Sequence, residues 1–239
     1  MKEMTPKERV RTALSRREPD RVPVNYLCNP GIDRRLKRHF GLDEQDNDGL
    51  LRALGVDFRC VSAPYAGPRL HPEVPGRQVD ACWGIRTRWI EHESGGYWDY
   101  CDFPLRAATV DEVAAWPMPS PDDFDYSHIA EDCRRQADYC VCLYAFPDVI
   151  NSTGMLRTME QTLIDLLLDD EAALLLIDRK LGIVREVAAR TLEAAHGGID
   201  LLWLAEDLGS QIAPMISLDL FRKHMSTTSS AACAARSRS

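Results

Sequence analysis

The chain has 239 residues, 45% hydrophobic and 28% charged, and carries a formal net charge of −8. This globular composition excludes disorder as the default state, and the length suits one large domain or two smaller ones. The acidic balance argues against nucleic acid as a main partner, because phosphate binding needs a concentrated positive face.

Thr5-Pro6-Lys7-Glu8 is a capping box with proline at the first helical position, so a helix starts there and ends before Pro19. Arg21 to Leu27 has the composition of a short strand, with Cys28-Asn29-Pro30-Gly31 as its exit loop. Short helices follow at Ile32–Phe40 and Asp48–Leu54, the second closed by Gly55, and lead to a strand at Val56–Val61. The basic run Arg34, Arg35, Lys37 and Arg38 reads as a solvated helix face. Cys82–Ile90 and Tyr97–Tyr100 flank the turn Ser94-Gly95-Gly96 and read as an inserted β-hairpin.

A second capping box, Thr109 to Glu112, opens a helix that stops at Trp116-Pro117. A helix over Phe124–Ala137 then feeds Tyr139–Phe146, whose near-continuous apolar character is that of a parallel strand covered on both faces. Helices follow at Met155–Leu168 and Asp170–Ala195, the latter with Leu174, Ile177, Leu181, Val184, Val187 and Ala188 at core-facing spacing. Ile199–Leu204 is a strand, Ala205–Gln211 its exit loop, and Ser217 caps a last helix to about Met225. Ser226–Ser239 holds only Ser, Thr, Ala, Arg and one Cys, so a domain at 1–225 is expected to precede a low-complexity, disordered tail at 226–239. About four β/α units are countable, giving a parallel-strand α/β architecture, either half of an eight-unit barrel or an open sheet.

No segment approaches the roughly 20 apolar residues that span a bilayer, and the N-terminus is too charged for a secretory signal. Eight cysteines without a Cys-x-x-Cys pair fit reduced thiols, so the expected location is cytoplasmic, with no membrane or nucleic-acid partner. Cys140 and Cys142 alternate on one strand and are expected to pack in the core. The six histidines lack metal-ligand spacing, so no metal ligands are assigned. The adjacent carboxylates Glu206 and Asp207 on a strand-exit loop are the catalytic candidates, suited to acid–base work or to holding a cation. Against that stands the plainer role of loop carboxylates beside a helix start, capping backbone N–H groups.

Met4-Thr5-Pro6-Lys7-Glu8-Arg9-Val10 through Glu18-Pro19-Asp20-Arg21-Val22-Pro23-Val24 resembles the opening of the uroporphyrinogen decarboxylase superfamily, particularly its corrinoid-dependent methyltransferases. Gly198-Ile199-Asp200 through Gln211, and Pro214 through Phe221, resemble that family's mid-barrel strand, loop and helix. Cys82-Trp83-Gly84, Gly95-Gly96-Tyr97 and Pro104-Leu105 extend the likeness, which spans about Met4 to Met225. It implies a (β/α)8 TIM barrel, here incomplete and C-terminally truncated, with its site at the carboxyl ends of the strands. Asn25, Tyr26 and Asn29 would leave the first strand, Ser62 the second, Tyr144 and Asp148 the third, and Glu206, Asp207 and Gln211 the fourth. Of these, Asn25, Tyr26, Asn29, Tyr144 and Gln211 are the implied substrate-binding residues, although aromatics such as Tyr26 and Tyr144 at strand ends more often complete a core.

The departures point toward one branch. Porphyrinogen decarboxylases of the family carry an arginine-rich loop after the first strand to hold substrate carboxylates, and an aspartate after the next; here those places read Asn25-Tyr26-Leu27-Cys28-Asn29 and Cys60-Val61-Ser62-Ala63-Pro64. The expectation is therefore corrinoid-dependent methyl transfer, with decarboxylation of a tetrapyrrole as the alternative. The family's zinc ligands, a His-x-Cys pair and a later Cys, lie beyond the position of Met225, so zinc and a corrinoid partner belong to a longer version of the chain. The third expectation is an inactive fragment or half of a split barrel, pairing with a complementing half or with itself through its uncovered edges.

Overall fold

The computed structural model describes residues 3–93, 95–146 and 148–224. The tail at 226–239 and Ser94 of the hairpin turn lie outside the described residues. Helix α1 (Pro6–Leu14) starts as its capping box requires: the Thr5 hydroxyl accepts the Glu8 N–H, and the Glu8 carboxylate accepts the Thr5 N–H at 2.9 Å. Asn29 caps α2 (Pro30–His39), Asp46 caps α3 (Asn47–Ala53), and Gly55 takes the left-handed conformation, φ +64°, that turns the chain into β1 (Phe58–Val61).

The segment Arg21–Leu27 forms no strand. Pro23 lacks a donor, Val22 and Leu27 are exposed, and the segment joins the sheet only where the Asp57 N–H donates to the Val24 carbonyl. On α2 the exposed Arg34, Arg35 and Arg38 form the expected solvated face, and only Lys37 departs from it. Lys37 is buried, its Nζ 2.8 Å from both an Asp33 carboxylate oxygen and the Glu44 carbonyl.

The inserted element is a three-stranded antiparallel sheet of β2 (Gln78–Val79), β3 (Arg86–His92) and β4 (Gly95–Tyr100), in which Trp89 faces Trp98 edge-on at 5.5 Å. Residues Cys82–Gly84 form a turn ahead of β3 rather than part of it. Helix α4 (Val110–Ala115) has its full capping box. The helix expected from Phe124 begins only at Ile129: Phe124 bridges Tyr65 and the Asp125 N–H donates to the Pro64 carbonyl, so α5 spans Ile129–Arg135. Likewise the helix expected at Met155–Leu168 is two, α6 (Val149–Arg157) and α7 (Met159–Leu168), broken at Thr158 with φ 77°.

Strands β1, β5 (Cys140–Phe146) and β6 (Leu201–Leu204) form a parallel sheet in the order β1-β5-β6. The molecule is thus a mixed α/β structure whose parallel sheet has three strands rather than four and is not closed into a barrel among the described residues. Period-two alternation sends Val141 and Leu143 toward α5 and α8 (Glu171–Ala194), where they meet Ile129, Cys133 and Ala188. On the opposite face Cys140 and Cys142 pack with Val10, Phe58 and Leu201, so both thiols are core residues. Further along that face, Tyr144 and Trp203, paired in register and 5.4 Å apart, are half exposed.

Buried charges tie the layers together. Asp57, fully buried, accepts hydrogen bonds from Arg9, from both terminal nitrogens of Arg21 and from the Val24 N–H. Arg157 and Asp165, both buried, pair at 2.8 Å, and Arg157 also donates to the Leu105 carbonyl. No helix among the described residues is long and apolar enough to cross a membrane.

Candidate active site

In a parallel sheet all carboxyl ends share one edge, so the segments leaving β1, β5 and β6 converge there. A cavity of about 370 Å³ lies at this edge. Ser62 and Ala63 enter it from β1, Tyr144 and Asp148 from the end of β5, and the inserted sheet adds Trp83 and Ile85. Helix α8 closes it with Val184, Val187 and Ala188 around one cation, Lys180.

Lys180 is 3% exposed. Its Nζ donates to the Ser152 hydroxyl at 2.7 Å and sits 5.6 Å from the ring of Trp83. Among the described residues it has no ion pair, and burial pushes its amine down from 10.5 to about 7 against the opposing fields of Glu206 and Asp80. A buried lysine is rare. The sequence did hold a signal: Lys180 stands four residues from both Leu176 and Val184, on the buried stripe of α8, where a hydrophobic residue is expected.

Of the two catalytic candidates, only Glu206 is drawn inward. Its Oε1 accepts the Ile150 N–H at 2.9 Å in the first turn of α6, while Oε2 is buried without a hydrogen-bond partner among the described residues. Burial pushes the carboxyl up to about 7; the Ile150 hydrogen bond and the Lys180 field pull the other way, and the neighbouring Asp148 adds to the rise. Glu206 therefore performs the plain capping role, with the Asn151 N–H also acting on its carboxyl. Asp207 is exposed.

The remaining candidates divide. The Tyr144 hydroxyl lies beside Cys60 and Asn25, so the structure brings Asn25 to the rim of the cavity that Tyr144 lines. Tyr26 turns instead toward α2, its hydroxyl 3.4 Å from Asp33 and accepting from the Cys28 thiol. The Asn29 oxygen is committed to the Ile32 N–H at the start of α2. Gln211 is exposed on the tight turn closed by the Gly209–Pro214 bridge.

Family models, curated proteins and solved structures offer no match to this chain. Lys180 and Glu206 are a buried amine and a buried carboxyl, each held near neutrality, and each field acts on the other's protonation. Of the two, Lys180 lines the apolar cavity, which is near the small end of the ~300–1,000 Å³ range of ligand pockets, while Glu206 acts on it from outside the lining.

Proposed function

We propose that this chain carries the small-molecule site of an enzyme of the uroporphyrinogen decarboxylase-like (β/α)8 class, in its one-carbon methyl-transfer branch. The resemblance of residues 4–24 and 198–221 supports the class, and the sequential order β1-β5-β6 of parallel strands is compatible with a barrel. The observation that carries the choice of branch is the cavity lining, which is apolar with Lys180 as its cation. A multi-carboxylate tetrapyrrole calls for several guanidinium forks, and the lining residues include no arginine.

The zinc that this branch implies finds no fit here. Among the described residues no three His, Cys, Asp or Glu side chains converge, and the thiols of Cys140 and Cys142 are sealed in the core. What this chain's own residues supply is an apolar cavity, a buried amine in Lys180, and a hydroxyl rim at Ser62 and Tyr144.

The test offers the protein methylcobalamin with a thiol acceptor in one arm and uroporphyrinogen in the other. Thiol-dependent loss of the cobalt-bound methyl group supports the reading, provided Glu206→Gln and Lys180→Met abolish it. Release of carbon dioxide from uroporphyrinogen overturns the branch, and inertness in both arms overturns catalysis by this chain alone.

A second reading, a barrel half completed by another chain or by a copy of itself, is favoured by the half-exposed Tyr144 and Trp203 on one sheet face. Sedimentation equilibrium checks the self-association arm: a stable dimer supports it, and a monomer at high concentration removes it.

A further inference from the structure

We propose that Lys180 is a nucleophile that captures an aldehyde or ketone in the apolar cavity as an imine. The proposal rests on the reading of this cavity as the substrate site, and names a substrate class for it.

Geometry comes first. Lys180 is buried, lines the cavity and holds no ion pair among the described residues. The Ser152 hydroxyl, which accepts from Nζ at 2.7 Å, spends its own proton on the Val149 carbonyl at 3.3 Å. Nζ is therefore a donor to Ser152, and its lone pair is left for the cavity. The wall around it, Trp83, Ile85, Val184 and Val187, suits the apolar body of a small carbonyl compound and keeps bulk water from hydrolysing the product.

The charged groups that act on this amine come from separate elements: Glu206 from the loop after β6, and Asp80 from the loop after β2. Asp148, ahead of α6, acts in turn on Glu206. Burial outweighs the carboxylates acting on Lys180 and holds the amine near neutrality, which a nucleophilic lysine needs.

The step balances without any further reagent. The Nζ lone pair forms a bond to the carbonyl carbon as the C=O π pair moves to oxygen. That oxygen takes the proton that the new ammonium releases, giving a neutral carbinolamine. The nitrogen lone pair then expels the hydroxyl, which leaves as water with the remaining N–H proton, and a neutral imine remains on Nζ.

The probe is benzaldehyde with sodium cyanoborohydride at pH 7, followed by peptide mapping of the modified lysines. An amine titrating near 7 has a neutral fraction roughly a thousandfold above that of an ordinary lysine at ~10.4, so Lys180 should be benzylated far ahead of Lys7, Lys37 and Lys223. Benzyl alcohol, which has no carbonyl, reports occupancy of the cavity separately by ligand-observed NMR, and Lys180→Met should keep that binding.

Selective labelling of Lys180 supports the proposal. Benzyl alcohol bound but Lys180 labelled no faster than Lys7 overturns the nucleophile and leaves the cavity reading standing. Neither binding nor selective labelling overturns both.

Discussion

Replacing Asp57 with alanine removes the junction of the N-terminal layer. The carboxylate is fully buried and accepts from Arg9, from Arg21 at 2.7 and 2.9 Å, and from the Val24 N–H at 2.8 Å. Breaking a buried ion pair from one side costs about 3–5 kcal/mol, because the surviving charge stays desolvated. Arg9 keeps Asp20 at 2.6 and 2.8 Å and the Met4 carbonyl, and the half-exposed Arg21 head can rehydrate. The expected loss is therefore near the lower bound, about 3 kcal/mol. At roughly 2–4 °C per kcal/mol for a chain this long, Tm should fall by about 6–12 °C. Urea unfolding followed by tryptophan fluorescence on Asp57→Ala, Arg9→Met and the double variant measures it. The double variant should recover about 2 kcal/mol relative to the sum of the singles. A loss below about 1 kcal/mol for Asp57→Ala, or strict additivity, would refute the argument. Arg21→Ala, by contrast, should cost under about 1 kcal/mol.

The two buried titrating groups leave opposite marks on stability. Burial depresses Lys180, so the folded state binds fewer protons than the unfolded chain between about pH 7 and 10, and stability should rise with pH there by up to ~1.4 kcal/mol per unit, a slope that Lys180→Met removes. Glu206 is raised instead, so its contribution is fully present below its unfolded pKa of 4.5 and is lost as pH rises through about 7; Glu206→Gln should therefore stabilise the protein at pH 8 more than at pH 4, as urea midpoints at the two pH values will show. Thr158 holds φ 77°, costly for a β-branched residue, and its hydroxyl caps the Gln161 N–H at 3.1 Å. Because glycine gives up only a few tenths of a kcal/mol at a cap, Thr158→Gly should gain about 1 kcal/mol, and a loss in thermal unfolding would count against strain at that hinge. In a Cys233→Ser background, iodoacetamide at pH 8 should modify exposed Cys28 first, and Cys82, whose thiol burial pushes up to about 12, only on unfolding; mass spectrometry of timed samples decides the order.

Local chemistry made much of this fold legible from the sequence. The boxes at Thr5 and Thr109, the cap at Ser217 and the turn at Gly55 are each closed by atoms within a few residues, so no distant partner had to be known; Asn29, read as a substrate-binding residue of an exit loop, is instead the N-cap of α2. The doubly covered strand at Cys140–Phe146 was readable too, because burial on both faces forces a continuous apolar run. Among the site residues, Glu206 was visible as a carboxylate on a strand-exit loop.

Tertiary structure alone decided the rest. Arg21–Leu27 has strand composition, yet Pro23 and the claim of Asp57 on Val24 leave it beside the sheet rather than in it. The bridge from Tyr65 takes Phe124 out of α5, and the crossing of α6 with α7 breaks a run that reads as one helix. Separating Glu206 from Asp207, and Tyr144 from Tyr26, required knowing which side of each chain segment faces the cavity. Lys180 is the clearest case: its place on the stripe of α8 was written in the spacing, but its role depends on Ser152, Trp83 and Glu206, which lie 28, 97 and 26 residues away along the chain. Sequence periodicity fixes which face of a helix is buried; only the packing of distant segments determines what a buried charge meets there.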